Sequence, residues 1–253
     1  MKPKIGLLFI FAGLLALLGG MFFGCIGSLQ HIFPGLMNEV LPFYKSRPLH
    51  VSLVISWIFL SAIGGIYYYL PHKCDLPLFS KRMASMHLWI FMLTGILILG
   101  SYFLGKFGGR EYWEFPPVLA IPIIISWILF GINYFKTVIH SRPGQSRKWP
   151  VYIWMWGTGI VFFFISYIES YLWILPYFGD NIVKDLTIQW KSYGSIVGSW
   201  NMLVYGTAIF LMEKINKDTK IAHSQISFFL FFLGLTNLMF GWSHHLYAVP
   251  VAG

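Results

Sequence analysis

The stretch LHVSLVISWIFLSAIGGIYYYL, residues 49–70, decides the fold of this chain. It contains no Asp, Glu, Lys or Arg. At about 1.5 Å per residue, a helix of this length covers about 33 Å, slightly more than the ~30 Å hydrocarbon core of a bilayer. The stretch therefore predicts a transmembrane helix. Six further apolar segments of similar length lie at about 5–26, 84–104, 117–137, 150–173, 191–212 and 226–248.

The composition excludes a soluble domain. Of the 253 residues, 57% are hydrophobic and 11% charged, and a soluble domain of this size has too little interior to cover so much apolar surface. The net charge of +9 lies in short loops between the apolar segments, which is typical of a topology signal and not of a nucleic-acid-binding face. We therefore expect an all-α membrane protein with a single transmembrane helical domain over residues 1–253. Cys25 and Cys74 have no metal-like spacing and predict neither a zinc site nor a disulfide framework.

The distribution of lysine and arginine predicts the orientation of the helices. With the N-terminus inside, the cytoplasmic side carries twelve of these residues and the outer side six. Cytoplasmic loops are usually the richer in positive charge, so we expect the N-terminus inside and the C-terminus outside. The six outer residues are Lys45, Arg47, Lys106, Arg110, Lys184 and Lys191.

This orientation brings four polar side chains to one depth, near the outer face. His50 begins the second segment, Tyr193 lies in the outer half of the sixth, and His244 and His245 lie at the outer end of the seventh. Histidine is costly in a bilayer and usually serves a partner, a proton or a metal. For the adjacent pair we favour metal or haem binding, and for His50 taken alone a hydrogen bond at a helix end. The other histidines are expected in structural roles at loops or helix ends: His31, His72, His87, His140 and His223.

Four motifs carry a family resemblance. They are RPLHVSLVISWIFLSAIGGIYYYLP (47–71), GGREYWEFPP (108–117), VGSWNML (197–203) and GWSHHLYAVP (241–250). In order and approximate spacing they resemble the N-terminal half of the large subunit of bacterial nitric oxide reductases, a branch of the haem–copper oxidase superfamily. The resemblance implies a half bundle of that type, with seven transmembrane helices, in the inner (cytoplasmic) membrane of a prokaryote.

The resemblance also implies roles for matching residues. His50 corresponds to an axial ligand of the low-spin haem b. His244 and His245 correspond to the pair that binds a non-haem iron, and imidazole nitrogen suits that metal. Glu111, with Glu114 nearby, corresponds to the loop carboxylate that helps to hold a calcium ion between haem propionates, and carboxylate oxygen suits calcium.

Three positions on the sixth segment depart from the family when Trp200 is aligned with the family's tryptophan. Tyr193 stands where the family has a third iron-ligating histidine. Val197 and Asn201 stand where it has glutamates, the first of which completes the iron site and relays protons. A phenol is a poor ligand for ferrous iron, and valine can neither ligate nor carry a proton. The resemblance therefore implies a degenerate iron site.

The resemblance also implies partners, because the family's large subunit continues beyond the seventh helix with further haem ligands. We expect a second membrane chain that supplies those helices and ligands, and a c-type cytochrome or a quinol as electron donor. The leading hypothesis is a haem-binding or electron-transfer subunit of a respiratory complex that is not catalytic alone. An active split nitric oxide reductase and a haem-free membrane scaffold are the alternatives.

Overall fold

A computed structural model describes residues 4–74, 77–140 and 148–246. Five side chains at the edges of these ranges are not included: Lys4, Lys73, Cys74, His245 and Leu246. Seven helices in the described ranges are long and apolar enough to cross a membrane, and those ranges contain no strand. The predicted all-α membrane class is therefore confirmed. The helices are α1 (Lys4–Ile32), α2 (Phe43–Cys74), α3 (Lys81–Phe103), α4 (Ala120–His140), α5 (Val151–Glu169), α6 (Ile182–Asn216) and α7 (Gln225–Phe240).

Three of these helices differ from the predicted segments near the candidate site. α2 begins at Phe43 and not at 49, so His50 lies two turns inside the helix, and its expected position at a helix end is wrong. α6 begins at Ile182 and not at 191, because the Asn181 side chain caps it by accepting hydrogen bonds from the N–H groups of Val183 and Lys184, both at 3.1 Å. The predicted helix to 248 is wrong in its last turns. α7 ends at Phe240, before a glycine, and Gly241–Leu246 forms a 3-10 helix. Residues 247–248 lie outside the described ranges.

The chain divides into two compact units. Unit 1 contains α1, α2, α3 and the first part of α4, and unit 2 contains the rest of α4 with α5, α6, α7 and the 3-10 helix. Their bounds are Met1–Lys73 with Ser80–Phe130 for unit 1, and Cys74–Phe79 with Gly131–Gly253 for unit 2. The single domain over 1–253 and the inside position of the N-terminus stay predictions.

In unit 1, glycines at every seventh position of α1 let α2 lie close to it. A Cβ added at Gly6 would lie 2.7 Å from the carbonyl oxygen of Gly64, and one added at Gly13 would lie 2.6 Å from Oγ of Ser61. Helices in lipid associate through close packing, which small residues permit. The series fixes α2, which carries His50, against α1. Its members are Gly6, Gly13, Gly20 and Gly27.

His87 is a core residue of unit 1. It is fully buried in α3, with Nδ1 3.1 Å from the Tyr67 hydroxyl and its ring stacked on Phe130 at 5.3 Å between centroids. The expected position at a loop or helix end is therefore wrong for His87. The reason is that α3 begins at Lys81, after the Ser80 cap, so that His87 lies almost two turns inside the helix.

In unit 2, α6 packs against its neighbours through glycines. A Cβ added at Gly159 on α5 would lie 2.7 Å from the carbonyl oxygen of Ser199 on α6. Gly194 and Gly198, four residues apart on α6, let the 3-10 helix and α7 pack closely against α6. An added Cβ at Gly198 would lie 2.6 Å from Cα of Leu238 on α7. This spacing of small residues is common where membrane helices cross closely. The packing fixes the height of α7 and the 3-10 helix relative to α6.

Candidate functional site

His50 ends the second turn of α2, and its ring faces α1 within unit 1. Its Nδ1 lies 2.7 Å from the carbonyl oxygen of Gly20. A carbonyl oxygen only accepts hydrogen bonds, so Nδ1 carries the ring proton and donates it. In the neutral imidazole, this tautomer leaves the lone pair on the other ring nitrogen, Nε2. Metal-ligating histidines commonly donate one ring N–H to a backbone carbonyl in this way, which fixes the tautomer and the ring orientation.

Gly24 provides the space for the His50 ring beside α1. A Cβ added at Gly24 would lie 2.7 Å from Nδ1 and 2.9 Å from Cε1 of His50. Both distances are shorter than van der Waals contact, so a larger residue at this position would displace the imidazole. His50 is half-buried, and the ring is thus fixed on one side while a ligand can still reach it.

The loop between α3 and α4 folds into a tight turn. The N–H groups of Gly108 and Gly109 donate to the carbonyl oxygen of Glu114 at 3.1 and 3.2 Å. A Cβ added at Gly109 would lie 1.8 Å from the carbonyl oxygen of Trp113, so this approach requires glycine. The turn holds Glu111 and Glu114 within reach of one cation on α2.

Arg47 is that cation, and it joins the loop to α2. Its Nη2 donates to Oε1 of Glu111 at 2.6 Å, and its Nη1 donates to Oε1 of Glu114 at 2.7 Å. Arg47 precedes His50 by three residues, so the two side chains share a face of α2 and lie about 4.5 Å apart along its axis. The predicted loop carboxylates and the predicted haem ligand are therefore brought together in unit 1, with Arg47 between them.

Glu114 is the more buried of the two carboxylates, with 15% of its side chain exposed against 41% for Glu111. Its Oε2 is buried and has no hydrogen-bond partner among the described residues. Burial raises the pKa of Glu114, although backbone hydrogen bonds and the charge of Arg47 oppose this change. Desolvation of the largely buried carboxylate thus outweighs its ion pair with Arg47. Oε2 is thus the atom that would take up a proton or a cation.

The histidine pair lies in the 3-10 helix that follows α7, in unit 2. His244 is exposed there, and the side chain of His245 lies outside the described part of the chain. The 3-10 helix packs on α6 at Gly194, where an added Cβ would lie 2.7 Å from Cα of Trp242. Tyr193, the residue before Gly194, is buried with 6% of its surface exposed. The histidine segment and the Tyr193 turn of α6 are therefore neighbours.

The described side chains of unit 2, which do not include that of His245, do not by themselves form a complete iron site. Across the described residues, no group of three or more His, Cys, Asp or Glu side chains could hold a metal ion. Val197, one turn after Tyr193 on α6, offers no ligand atom, and a phenol is not among the ligands that suit iron of this kind. His50 differs, because its bond to Gly20 leaves one nitrogen with a lone pair for a haem iron.

Sequence reasoning missed the roles of Arg47, Gly20 and Gly24. Arg47 is predicted only as one of six outer cations, yet it is the contact between the loop and α2. The signal for the glycines was available in the seven-residue series on α1, to which Gly20 belongs. Gly24 lies four residues later on the same helix face.

Three relatives show what the chain is similar to. A nitric oxide reductase subunit of Stutzerimonas stutzeri is 23% identical over 254 residues, 94% of this chain and 51% of the relative. The Cbb3-type cytochrome c oxidase subunit CcoN1 of the same organism is 24% identical over 90% of this chain and 49% of its own length. A cytochrome c oxidase subunit 1 homolog of Agrobacterium tumefaciens (strain T37) is 24% identical over 90% of this chain and 43% of its own length.

The chain spans about half the length of these curated relatives. The family described as Cytochrome C and Quinol oxidase polypeptide I matches residues 4–253. The resemblance to the haem–copper oxidase superfamily is thereby confirmed. With this match and its seven helices of membrane-spanning length, the chain belongs to the Cytochrome C and Quinol oxidase polypeptide I family.

Proposed function

We propose that the chain is a redox subunit of a membrane electron-transfer complex, in which His50 is an axial ligand of a b-type haem near the outer face. Membership of the family supports a membrane redox subunit. The observation that carries the proposal is the 2.7 Å contact between Nδ1 of His50 and the Gly20 carbonyl oxygen, since it leaves Nε2 with a lone pair. When bound, the haem would supply one-electron transfer.

The proposed role of His50 explains the contacts of the residues around it. Gly20 fixes the tautomer and the direction of the imidazole, and Gly24 admits the ring next to α1. Arg47 lies one turn outward on α2, but Glu111 and Glu114 share its charge, so a further cation bound at the loop would be needed to balance the carboxylates of a haem. Helices α1 and α2, packed through the glycine series, exclude water from the protonated side of the imidazole.

We propose the loop as the site of the calcium ion that the resemblance implies. The buried Oε2 of Glu114 supports this role, because a cation there would satisfy an acceptor that has no partner among the described residues. Glu111 and Glu114 each direct one oxygen to Arg47. A calcium ion would therefore share these two carboxylates with the guanidinium.

We propose that the non-haem iron site is degenerate in this chain. His244 and His245 supply two nitrogen ligands in the family pattern, whereas Tyr193 and Val197 replace the other two groups. An iron ion held by two side chains would be weakly bound. Proton delivery along α6 would also lack its carboxylates at Val197 and Asn201. These residues therefore carry no catalytic step in the proposal.

The partners that we propose follow the family pattern. A second membrane chain would supply the remaining helices and haem ligands, and a c-type cytochrome or a quinol would donate electrons. The relatives, which include cytochrome c oxidase subunits, support a subunit role in such a complex. We place this complex in the inner membrane of a prokaryote.

Removal of the His50 imidazole tests the proposal. In the complex as purified, His50→Ala should abolish the low-spin b-type absorbance spectrum, because no other described side chain offers an oriented nitrogen at that position. His31→Ala is the matched control: His31 is exposed near the end of α1, and its ring packs on Phe43 at 4.7 Å between centroids. An unchanged haem spectrum in His50→Ala would refute the axial role.

Two further measurements separate the alternatives. A haem-free scaffold would give no pyridine haemochrome signal from the purified complex. An active split nitric oxide reductase would reduce nitric oxide at rates typical of enzymes, about 1–1,000 per second, and lose that activity in His244→Ala. We expect haem without such turnover, because Tyr193 and Val197 stand at the positions of a ligand and a proton carrier.

A further inference from the structure

The connection between α1 and α2, within unit 1, presents apolar side chains on its surface. We call residues 32–44, from the end of α1 to the first turn of α2, the hairpin tip. Val40 is 72% exposed, Ile32 69% and Phe33 60%. Three further large side chains of the tip are exposed: Met37, Phe43 and Tyr44. Exposed apolar side chains concentrated in one short segment mark an interaction site where water surrounds them, so the depth of the tip decides its meaning.

α3 provides a measure of that depth. From Lys81 to Phe103 it rises about 33 Å, close to the ~30 Å thickness of the hydrocarbon core, so its last residues lie at the edge of the core. Two contacts join this end of α3 to the hairpin. The Phe23 ring on α1 lies 5.9 Å from the Phe103 ring between centroids, and Oγ of Ser52 on α2 lies 3.0 Å from the Tyr102 hydroxyl.

Both hairpin helices continue beyond that level. α1 extends nine residues from Phe23 to Ile32, and α2 begins at Phe43, nine residues before Ser52. Nine residues of helix rise about 13 Å. The headgroup layer adds only about 5–7 Å to each side of the hydrocarbon core. The hairpin tip therefore lies beyond the headgroups, where acyl chains cannot cover its apolar side chains.

A buried glutamine fixes the form of the tip. Gln30 is 6% exposed, and its Nε2 donates to the carbonyl oxygens of Leu36 at 3.1 Å and Leu41 at 2.6 Å. The hydroxyl of Ser46 on α2 donates to Oε1 of Gln30 at 2.8 Å. One side chain thus joins α1, the connection and α2. A surface ordered in advance loses little conformational entropy when it binds a partner.

Glu39 gives the tip a single negative charge. It is the only Asp, Glu, Lys or Arg between residues 5 and 44. Its side chain is exposed and makes no ion pair with another residue in the described part of the chain. A partner surface with a cationic side chain at this position would be electrostatically complementary.

We propose that the hairpin tip binds the water-exposed domain of another protein at the outer face of the membrane. That domain covers the apolar side chains around Val40 and places a cationic side chain opposite Glu39. The depth of the tip favours a protein over lipid, and the lone glutamate favours a basic rim on the partner. The outer location follows from the predicted orientation.

A photo-crosslinking residue in place of Val40, introduced into the complex in its native membrane, tests the proposal. It should form an adduct with one protein that is also present in the purified complex in an amount equal to the chain. A lipid adduct would overturn the proposal, because the tip would then lie in the bilayer. An adduct of twice the mass of the chain would also overturn it, because the tip would then bind a second copy.

Substitutions in the tip provide the second arm, with the amount of the crosslinked protein in the purified complex as readout. Val40→Asp should lower retention of that protein about tenfold, because an unpaired charge would enter an apolar contact. Leu104→Asp is the matched control, since Leu104 is also 72% exposed but directly follows α3, at the edge of the hydrocarbon core.

Glu39→Lys changes an exposed side chain that the fold does not need, and it should lower retention about fivefold by reversing the charge. Glu39→Asp keeps the charge and should retain the protein. Equal retention in Val40→Asp and Leu104→Asp, or full retention in Glu39→Lys, would overturn the proposal. The haem spectrum is a separate readout, so loss of this protein with haem retained leaves the assignment of His50 unchanged.

Discussion

His50 and His244 are both histidines that the family pattern assigns to iron, but their surroundings differ. His50 lies in a 32-residue α-helix, half-buried, with one nitrogen held by the Gly20 carbonyl. His244 is exposed in a six-residue 3-10 helix, next to an α6 turn that carries Tyr193 and Val197. The position in unit 1 therefore has its orienting contacts, whereas the position in unit 2 lies beside Tyr193 and Val197, where the family pattern has a histidine and a glutamate.

The difference supports the proposed haem-binding role of unit 1 over a catalytic metal site in unit 2. Holding a haem requires an oriented imidazole nitrogen and space for the imidazole ring, and unit 1 supplies these through Gly20 and Gly24. Reductive chemistry on a second metal requires a full ligand set and a proton carrier. Among the described side chains, which do not include that of His245, unit 2 contains no such cluster. The comparison is thus consistent with the electron-transfer role that we propose.

Gly24→Leu should have the largest effect of the three substitutions, a loss of haem binding at His50. Its side chain would enter the space of the His50 ring, since even a Cβ would lie 2.7 Å from Nδ1. We expect haem binding to weaken by about 10–100-fold, as for other changes that misorient a metal-ligating histidine. Gly95→Leu on α3 is the control, because a Cβ there meets nothing within 4 Å. Haem titration measures both, and equal haem content in the two variants would contradict the role of Gly24.

Arg47→Gln should have the next largest effect. It leaves two carboxylates without their ion-pair partner, one of them largely buried, and we expect the free energy of unfolding to fall by about 1–3 kcal/mol. Denaturant unfolding in detergent micelles measures this loss. Lys45→Gln is the control, since Lys45 donates an exposed hydrogen bond to the carbonyl oxygen of Phe103 at 3.0 Å and does not reach the loop carboxylates. An equal loss in both variants would mean that Arg47 does not hold the loop.

Glu114 should give a smaller, pH-dependent effect. Burial raises its pKa in the folded protein above the value in the unfolded chain, so the folded state binds the proton more tightly. This contribution to stability is fully present below the ordinary pKa of glutamate and is lost as the pH rises through the raised pKa. Glu114→Gln should remove that slope in unfolding measurements across this window, and Glu111→Gln should retain it. If the pH dependence of the unfolding free energy persists in Glu114→Gln, another titrating group must cause it.

The fold could be predicted from the sequence because lipid imposes a simple rule on it. Apolar stretches of bilayer length must form helices, and all seven predicted segments correspond to observed helices. Their ends were less predictable. Asn181 starts α6 nine residues before the predicted position, and Gly241 ends α7 before the histidines, because capping and glycine act locally against the apolar pattern.

The candidate site was predictable only in part. His50, Glu111 and Glu114 follow from motifs that carry the family resemblance, and Tyr193 follows from the register of α6. The contacts that orient them did not follow, because Arg47 reaches residues more than sixty positions away. Gly20 contacts His50 through its backbone carbonyl oxygen, a group that every residue has, so the sequence does not indicate this role.

Measuring haem and non-haem iron in the same purified complex tests the central claim most directly. The account predicts b-type haem that disappears in His50→Ala, and iron that is fully accounted for by haem, with no change in His244→Ala. Non-haem iron in an amount equal to the chain, lost in His244→Ala, would contradict it, as would a complex without haem.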